Sequence, residues 1–259
     1  MTQKENRKYL IKRLLDEDSR YRGMAVPDNE HEEKRILRSL FNIRLPRRID
    51  KDFLEIQNEY LQNELELLGI IDAEDLIPIQ DDLYLWEGDI TTLRCGAIVN
   101  AANSGMTGCY VPCHACIDNC IHTYAGVQLR LECAELMEKQ GHEEPTGTAK
   151  ITKAYNLPCD YVLHTVGPIV NGTVTEYDEE LLVSCYRSCL ELAEQYNIRS
   201  VAFCCISTGV FHFPNQRAAE IAVNTVQQYK KETGSSIRVI FNVFKDMDYE
   251  IYRRLLTEN

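Results

Sequence analysis

Asn100-Ala-Ala-Asn-Ser-Gly-Met-Thr-Gly-Cys-Tyr-Val-Pro-Cys-His-Ala-Cys-Ile-Asp-Asn-Cys-Ile-His122 gathers several chemically active groups into one short segment. It holds Cys109, Cys113, Cys116 and Cys120, the imidazoles of His114 and His122, the Asp118 carboxylate, and the Asn100 and Asn103 amides. The apolar run Gly96-Ala97-Ile98-Val99 precedes it, and a helix-like run continues past Gly126. Strand followed by helix is the unit from which α/β sheets are assembled. Thiols and imidazoles crowded between two such elements point to a metal site.

Working outward from this segment, the rest of the chain divides in two. Residues 5–71 carry apolar side chains at helical spacing: Tyr9, Leu10, Leu14 and Leu15, then Ile36, Leu37, Leu40 and Phe41, then Phe53, Ile56, Tyr60, Leu61, Leu65 and Leu68. Pro27-Asp28 and Pro46 split the run into three helices, and Gly69 suits a helix stop. Residues 1–77 are therefore read as a helical extension without a chemical motif, packed on the main domain. From 78 to 259 the pattern alternates. Leu83–Trp86, Ala97–Asn100, Thr148–Thr152, Tyr161–Val166, Ser200–Ile206 and Ile237–Phe244 read as strands. Helices are expected over 118–138, over 178–196 with Asp178 as cap, over 215–232 and over 247–257. The expected fold is a three-layer α/β sandwich with helices on both faces of the sheet.

Bulk properties narrow the function. With 259 residues, 44% hydrophobic and 26% charged, the chain can bury a full core. A net charge of −12 argues against nucleic acid or a membrane surface, which need a basic stripe. An anionic small ligand is still compatible, because helix N-termini bind phosphate through backbone N–H groups. No apolar run approaches the roughly 18 residues of a membrane span. The polar start Met1–Lys8 lacks a signal-peptide apolar region, so a cytoplasmic location is expected, with the 11 cysteines reduced or bound to metal.

Ligands of such sheets bind at the carboxyl ends of strands. After the first strand comes Glu87-Gly88-Asp89-Ile90-Thr91, where Asp89 either receives an exocyclic amine or caps a short turn. After the buried strand comes Ser207-Thr208-Gly209-Val210-Phe211-His212-Phe213-Pro214, which could cradle phosphates ahead of a helix. The last strand ends at Phe244, placed either to stack on a base or to pack in the core.

These motifs together resemble the macrodomain family, the ADP-ribose-binding fold. The resemblance rests on Gly88-Asp89-Ile90-Thr91, Ile98-Val99-Asn100-Ala101-Ala102-Asn103, His122 with Ala125-Gly126, Gly147-Thr148-Ala149, His164-Thr165-Val166-Gly167-Pro168 and Ser207–Phe211, in family order over about residues 80–259. It implies a mixed central sheet. It also implies that Asp89 holds the adenine amine, Ile90 lines the pocket and Asn103 contacts the distal ribose. Ser207, Thr208, Gly209, Val210 and Phe211 would wrap the diphosphate and distal ribose, and Phe244 would stack near adenine.

Where hydrolytic macrodomains have a glycine-rich loop, this chain has Gly108–Cys116, and Asp118 falls in the element holding the family's catalytic Asp. That is similar to the zinc-containing microbial macrodomains, which carry an N-terminal helical extension and are associated with sirtuin-type ADP-ribosyltransferases. A catalytic zinc takes three protein ligands and leaves one position open, and the segment offers more donors than that. The Cys-x4-His-x-Cys pattern of the zinc subfamily implies Cys109, His114 and Cys116. A four-ligand structural site using Cys113 or Cys120, or cysteines that only pack, are the alternatives. Cys109-x3-Cys113-x2-Cys116 also has the spacing of a radical S-adenosylmethionine triad. Ala115 replaces the aromatic usual there, however, and only roughly 140 residues follow.

The function expected is hydrolysis of mono-ADP-ribose from acidic side chains of a modified protein, with one zinc ion beside the distal ribose. Asp118 would orient or deprotonate the attacking water, unless it merely caps its helix. His122 would be a hydrogen-bonded structural residue or a base, and His212 and Phe213 could close over the ribose. A non-catalytic ADP-ribose reader and a deacetylase of O-acetyl-ADP-ribose are the competing functions.

Overall fold

Three helices open the chain, and each begins on a side-chain cap that satisfies an orphan N–H of the first turn. The computed structural model, which describes residues 1–258, places them at α1 (Gln3–Glu17), α2 (Glu30–Ile43) and α3 (Lys51–Leu68). Thr2 and Glu5 form a reciprocal capping box, Asn29 accepts from Glu32 N–H, and Asp50 accepts from Phe53 N–H. Their apolar stripes meet in a separate core of Leu10, Ile11, Leu14, Leu37, Phe41 and Phe53, which Val127 joins from the main domain. Arg7 and Glu33 pair at 2.7 Å inside this bundle.

The remaining elements alternate. They are β1 (Ile71–Asp72), β2 (Leu83–Glu87), β3 (Leu93–Arg94), β4 (Ala97–Ala102), α4 (Ile117–Ala125), α5 (Val127–Gln140), β5 (Ala149–Lys153) and β6 (Tyr161–Val166). Then follow α6 (Glu176–Gln195), β7 (Ser200–Phe203), α7 (Asn215–Thr233), β8 (Arg238–Val243) and α8 (Asp246–Thr257). The main sheet runs β2-β8-β7-β4-β6-β5, parallel except where β5 meets β6 antiparallel. This is the mixed sheet expected. A second, two-stranded parallel sheet pairs β1 with β3.

Right-handed crossovers decide the layers. From β4 the chain moves through α4 and α5 toward β5 and β6. From β6 it returns over β4 through α6 to β7, and then through α7 to β8. Opposite directions of travel put α4 and α5 on one face and α6, α7 and α8 on the other. The central strands are covered on both faces, so β7 is buried along its whole length and β4 is apolar up to Asn100. Neighbouring strands β4 and β7 send their following helices to opposite faces. The crevice at their carboxyl ends is the topological switch point where α/β sheets bind ligands.

Three local expectations are corrected. The helix expected over 118–138 is two helices, because Gly126 has φ 94° and breaks the run. The α6 cap is Thr175, which shares a capping box with Asp178, rather than Asp178 itself. The strand expected to reach Ile206 ends at Phe203. No helix among the described residues is long and apolar enough to cross a membrane.

Candidate functional site

Two loops meet at the switch point. The first leaves β4 at Asn103 and reaches α4 at Ile117, with no regular structure between. Its end is capped by the Cys116 thiol, which accepts from Asn119 N–H at 3.4 Å. Asp118 is therefore not the cap. Its carboxylate turns inward, accepting Nδ2 of Asn100 at 2.9 Å and Nδ2 of Asn103 at 3.1 Å. Asp118 is 4% exposed. Burial pushes its carboxyl up to about 6, and the bonds from Asn100 and Asn103 together with the Arg130 charge pull it back. Asn103 also donates to the Gly108 carbonyl at 3.2 Å.

The first loop selects among its own thiols and imidazoles. The donor atoms of Cys109, His114 and Cys116 all lie within 4.8 Å of one another, with Cys109 Sγ 3.8 Å from His114 Nδ1. Cys113 and Cys120 face elsewhere. Cys113 Sγ sits 3.2 Å from Ser39 Oγ and donates to the Arg35 carbonyl at 3.5 Å, and Cys120 Sγ accepts from Arg38 at 3.5 Å. Two thiols and one imidazole brought this close are a donor set suited to zinc.

His122 is not a hydrogen-bonded structural histidine. Both its ring nitrogens are buried without a hydrogen-bond partner, and Nε2 lies 3.6 Å from Asp118 Oδ1. Burial, then the neighbouring His164 and Arg130, hold it well below the ordinary imidazole range, so it is neutral. Its ring lies against Gly108, where a Cβ would approach to 2.7 Å. His122, Cys133 and His164 form a second, fully buried trio. There His164 is already engaged, by Asn100 at 3.1 Å and the Thr152 hydroxyl at 2.9 Å.

The second loop, Ser207–Pro214, is held mainly by its own backbone, with one tie from outside where Val170 N–H donates to the Phe211 carbonyl at 2.8 Å. Phe213 N–H donates to the Ser207 carbonyl at 3.0 Å, His212 N–H to Gly209 at 3.1 Å and the Thr208 hydroxyl to Cys205 at 3.0 Å. Ser207 and His212 both take positive φ, and the buried Ser207 hydroxyl has no partner. Gly209 and Val210 are exposed, and Phe211 is half-buried. Phe213 is 1% exposed and belongs to the main core, so it cannot close over a ligand.

At the sheet edge, Asp89 Oδ1 accepts from Thr91 N–H at 2.9 Å and from its hydroxyl at 2.7 Å, capping a short 3-10 turn. Ile90 is 1% exposed, its side chain packed in the main core. Phe244, at the end of β8, is 76% exposed, and the core-packing alternative for it is excluded.

The expected residues thus gather along the carboxyl ends of β2, β4, β7 and β8. Sequence reasoning assigned no role to Asn100, or to Arg38, Asn42, Asn119 and Arg130, which hold the first loop from outside. Arg38 and Asn42 lie one turn apart on α2, beside its apolar stripe, and no local pattern in the sequence marks either.

Comparison with known proteins gives a consistent answer. The Macro domain family model matches residues 99–222. A protein-ADP-ribose hydrolase of Treponema medium is 58% identical over 261 residues, spanning 99% of this chain and 100% of that protein. Another protein-ADP-ribose hydrolase, from Staphylococcus aureus strain MSSA476, is 47% identical over 247 residues, 95% of this chain and 92% of that one. Among solved structures, a Trypanosoma brucei macrodomain in complex with ADP-ribose superposes with a TM-score of 0.67 at 30% identity, covering 85% of this chain and 94% of that one.

Proposed function

The chain belongs to the macro domain family, and on that footing we propose that it is a protein-ADP-ribose hydrolase that releases mono-ADP-ribose from acidic side chains of a modified protein. The observation that carries this reading is the buried Asp118 carboxylate. It is held by two strand-end amides, at the switch point, within a few residues of the Cys109, His114 and Cys116 cluster.

Each residue then has a task set by where it sits. Phe244 offers an open ring face to adenine, and Asp89 offers a carboxylate edge to its exocyclic amine. The Ser207–Phe211 loop supplies backbone N–H groups to the diphosphate ahead of the α7 N-terminus, so no basic side chain is needed. Asn103 fixes the distal ribose. Asp118 orients a water toward the ester-bearing carbon and takes up its proton, and its raised proton affinity suits that task. Water adds across the ester linkage, giving ADP-ribose and a free carboxylate. One zinc ion fits Cys109, His114 and Cys116, and there it would act as a Lewis acid and template for ribose oxygens. The protein would act in the cytoplasm, in functional association with a sirtuin-type ADP-ribosyltransferase.

The test is an assay of ADP-ribose release from an Asp/Glu-ADP-ribosylated protein, with and without chelator, alongside Asp118→Ala. Release is expected from the untreated protein and should fall on metal removal. Asp118→Ala should lower kcat by about 100- to 10,000-fold, the range for loss of a general base. Binding without release by the untreated protein would make it a reader instead. Release that survives complete metal removal would assign zinc a structural place only.

A further inference from the structure

The loop between Asn103 and Ile117 has no ladder or helix of its own, yet its three donors converge on one point. The atoms that hold it there come from outside. Arg38 of α2 donates through Nη2 to the His114 carbonyl at 2.8 Å and to Asn119 Oδ1 at 3.1 Å. Asn119 passes this on, donating through Nδ2 to the carbonyls of Cys109 at 3.3 Å and Val111 at 2.9 Å. Asn42, one turn further along α2, accepts the Cys113 N–H at 2.8 Å and donates to the Thr123 hydroxyl at 2.8 Å. The backbone on each side of the His114 α-carbon is thus tied to α2. Arg130 locks α2 itself: its Nη1 donates to the carbonyls of Phe41, Asn42 and Arg44 at the helix end, and its guanidinium covers the Tyr110 ring at 4.3 Å.

We propose that the helical extension is the outer wall of the metal loop, and that Arg38 and Asn42 are positioning residues that set His114 between Cys109 and Cys116. The inference rests on the reading that these three take zinc. Its physical basis is preorganisation. An irregular loop of this length samples many conformations, and only those that bring both thiols and the imidazole together bind a metal tightly. Bonds that orient first ligands from outside typically change metal affinity by about 10- to 100-fold.

The test measures zinc affinity in the full-length protein by competition with a chromophoric chelator, and records the cobalt-substituted absorption spectrum. Arg38→Met and Asn42→Ala are each expected to weaken zinc binding about 10-fold or more and to alter the cobalt bands. Arg38→Lys, which keeps a charge and a donor, should fall between wild type and Arg38→Met. Arg35→Met removes an equal charge one turn away from an exposed side chain, and should leave affinity and spectrum unchanged. If Arg38→Met does not fold, Arg38→Lys and Asn42→Ala carry the same comparison. Wild-type affinity and spectrum in the folded Arg38 and Asn42 variants would overturn the inference. So would an equal loss in Arg35→Met, which would make the effect one of net charge. A wild-type protein that takes up no zinc would instead overturn the metal reading of the preceding section.

Discussion

The two loops at the switch point are built on opposite plans. The loop after β7 closes on its own backbone through Phe213 to Ser207 and His212 to Gly209, and leaves Gly209 and Val210 in the open. The loop after β4 is longer with no more internal backbone bonds, Met106 to Asn103 and His114 to Val111, and is otherwise held by side chains from α2, α4 and α5. The difference follows from what each must present. A diphosphate asks for backbone N–H groups, which any short turn before a helix supplies. A cluster of thiols, an imidazole and a buried carboxylate asks for side chains at fixed separations, and these need a rigid surround.

Two glycines give the sharpest way to break this contrast. At Gly108, φ is 83° and an added Cβ would meet the His122 ring at 2.7 Å. Gly108→Ala should therefore cost about 2 kcal/mol or more in thermal or denaturant unfolding and loosen metal binding with it. At Gly209 nothing lies within 4 Å of an added Cβ. Gly209→Ala should change stability by less than about 0.5 kcal/mol, yet weaken ADP-ribose binding in calorimetry if the ligand approaches that backbone. Equal stability effects at the two positions would contradict the two building plans.

A smaller effect on stability is expected at the end of β8, where neither plan applies. Phe244 is almost free of the core, so Phe244→Ala should leave the melting temperature unchanged. If its ring stacks on adenine, ADP-ribose affinity should fall by about 1–3 kcal/mol, the range for aromatic–base stacking. Calorimetry with ADP-ribose and with ribose 5-phosphate separates the two halves of the ligand: only the former should weaken.

What the sequence disclosed divides along the same line. Cys109, His114, Cys116 and Asp118 share one short segment, so their proximity was readable without a fold, and the buried strands announced themselves as apolar runs such as Val201-Ala202-Phe203. The break at Gly126 was hidden because Ile121, Ala125, Leu129 and Cys133 keep one helical stripe across it: α4 and α5 bury the same side. β1 and β3 are two residues each, too short for any period to register. Arg38 and Asn42 act on residues more than 70 positions away. A pairing made only by the folded chain leaves no local pattern, and the work of the helical extension was illegible for that reason.

Acid should act on one loop's foundations and spare the other's. Beneath the β4 loop lie His122, His164 and Asp118, all buried, whereas Ser207–Pro214 contains no buried ionisable side chain. Burial holds His164 down at about 3 and His122 well below its ordinary value, so the folded protein keeps both neutral while the unfolded chain protonates both near 6.5. The stability they contribute is complete above that value and is lost as pH falls through it. Asp118 works the other way. Its folded carboxyl takes a proton near 6, ahead of the unfolded one near 3.8, and offsets one of the two histidine protons. Between about pH 6 and 4 these three groups leave the unfolded state ahead by about one proton, a loss of about 1.4 kcal/mol per pH unit. Denaturant unfolding from pH 7.5 to 5 should show that decline. Hydrogen exchange corrected for intrinsic rate should show β4 and α4 losing protection before the Ser207–Pro214 loop. A flat or rising stability on acidification, or uniform loss of protection, would mean that the two loops do not rest on different foundations.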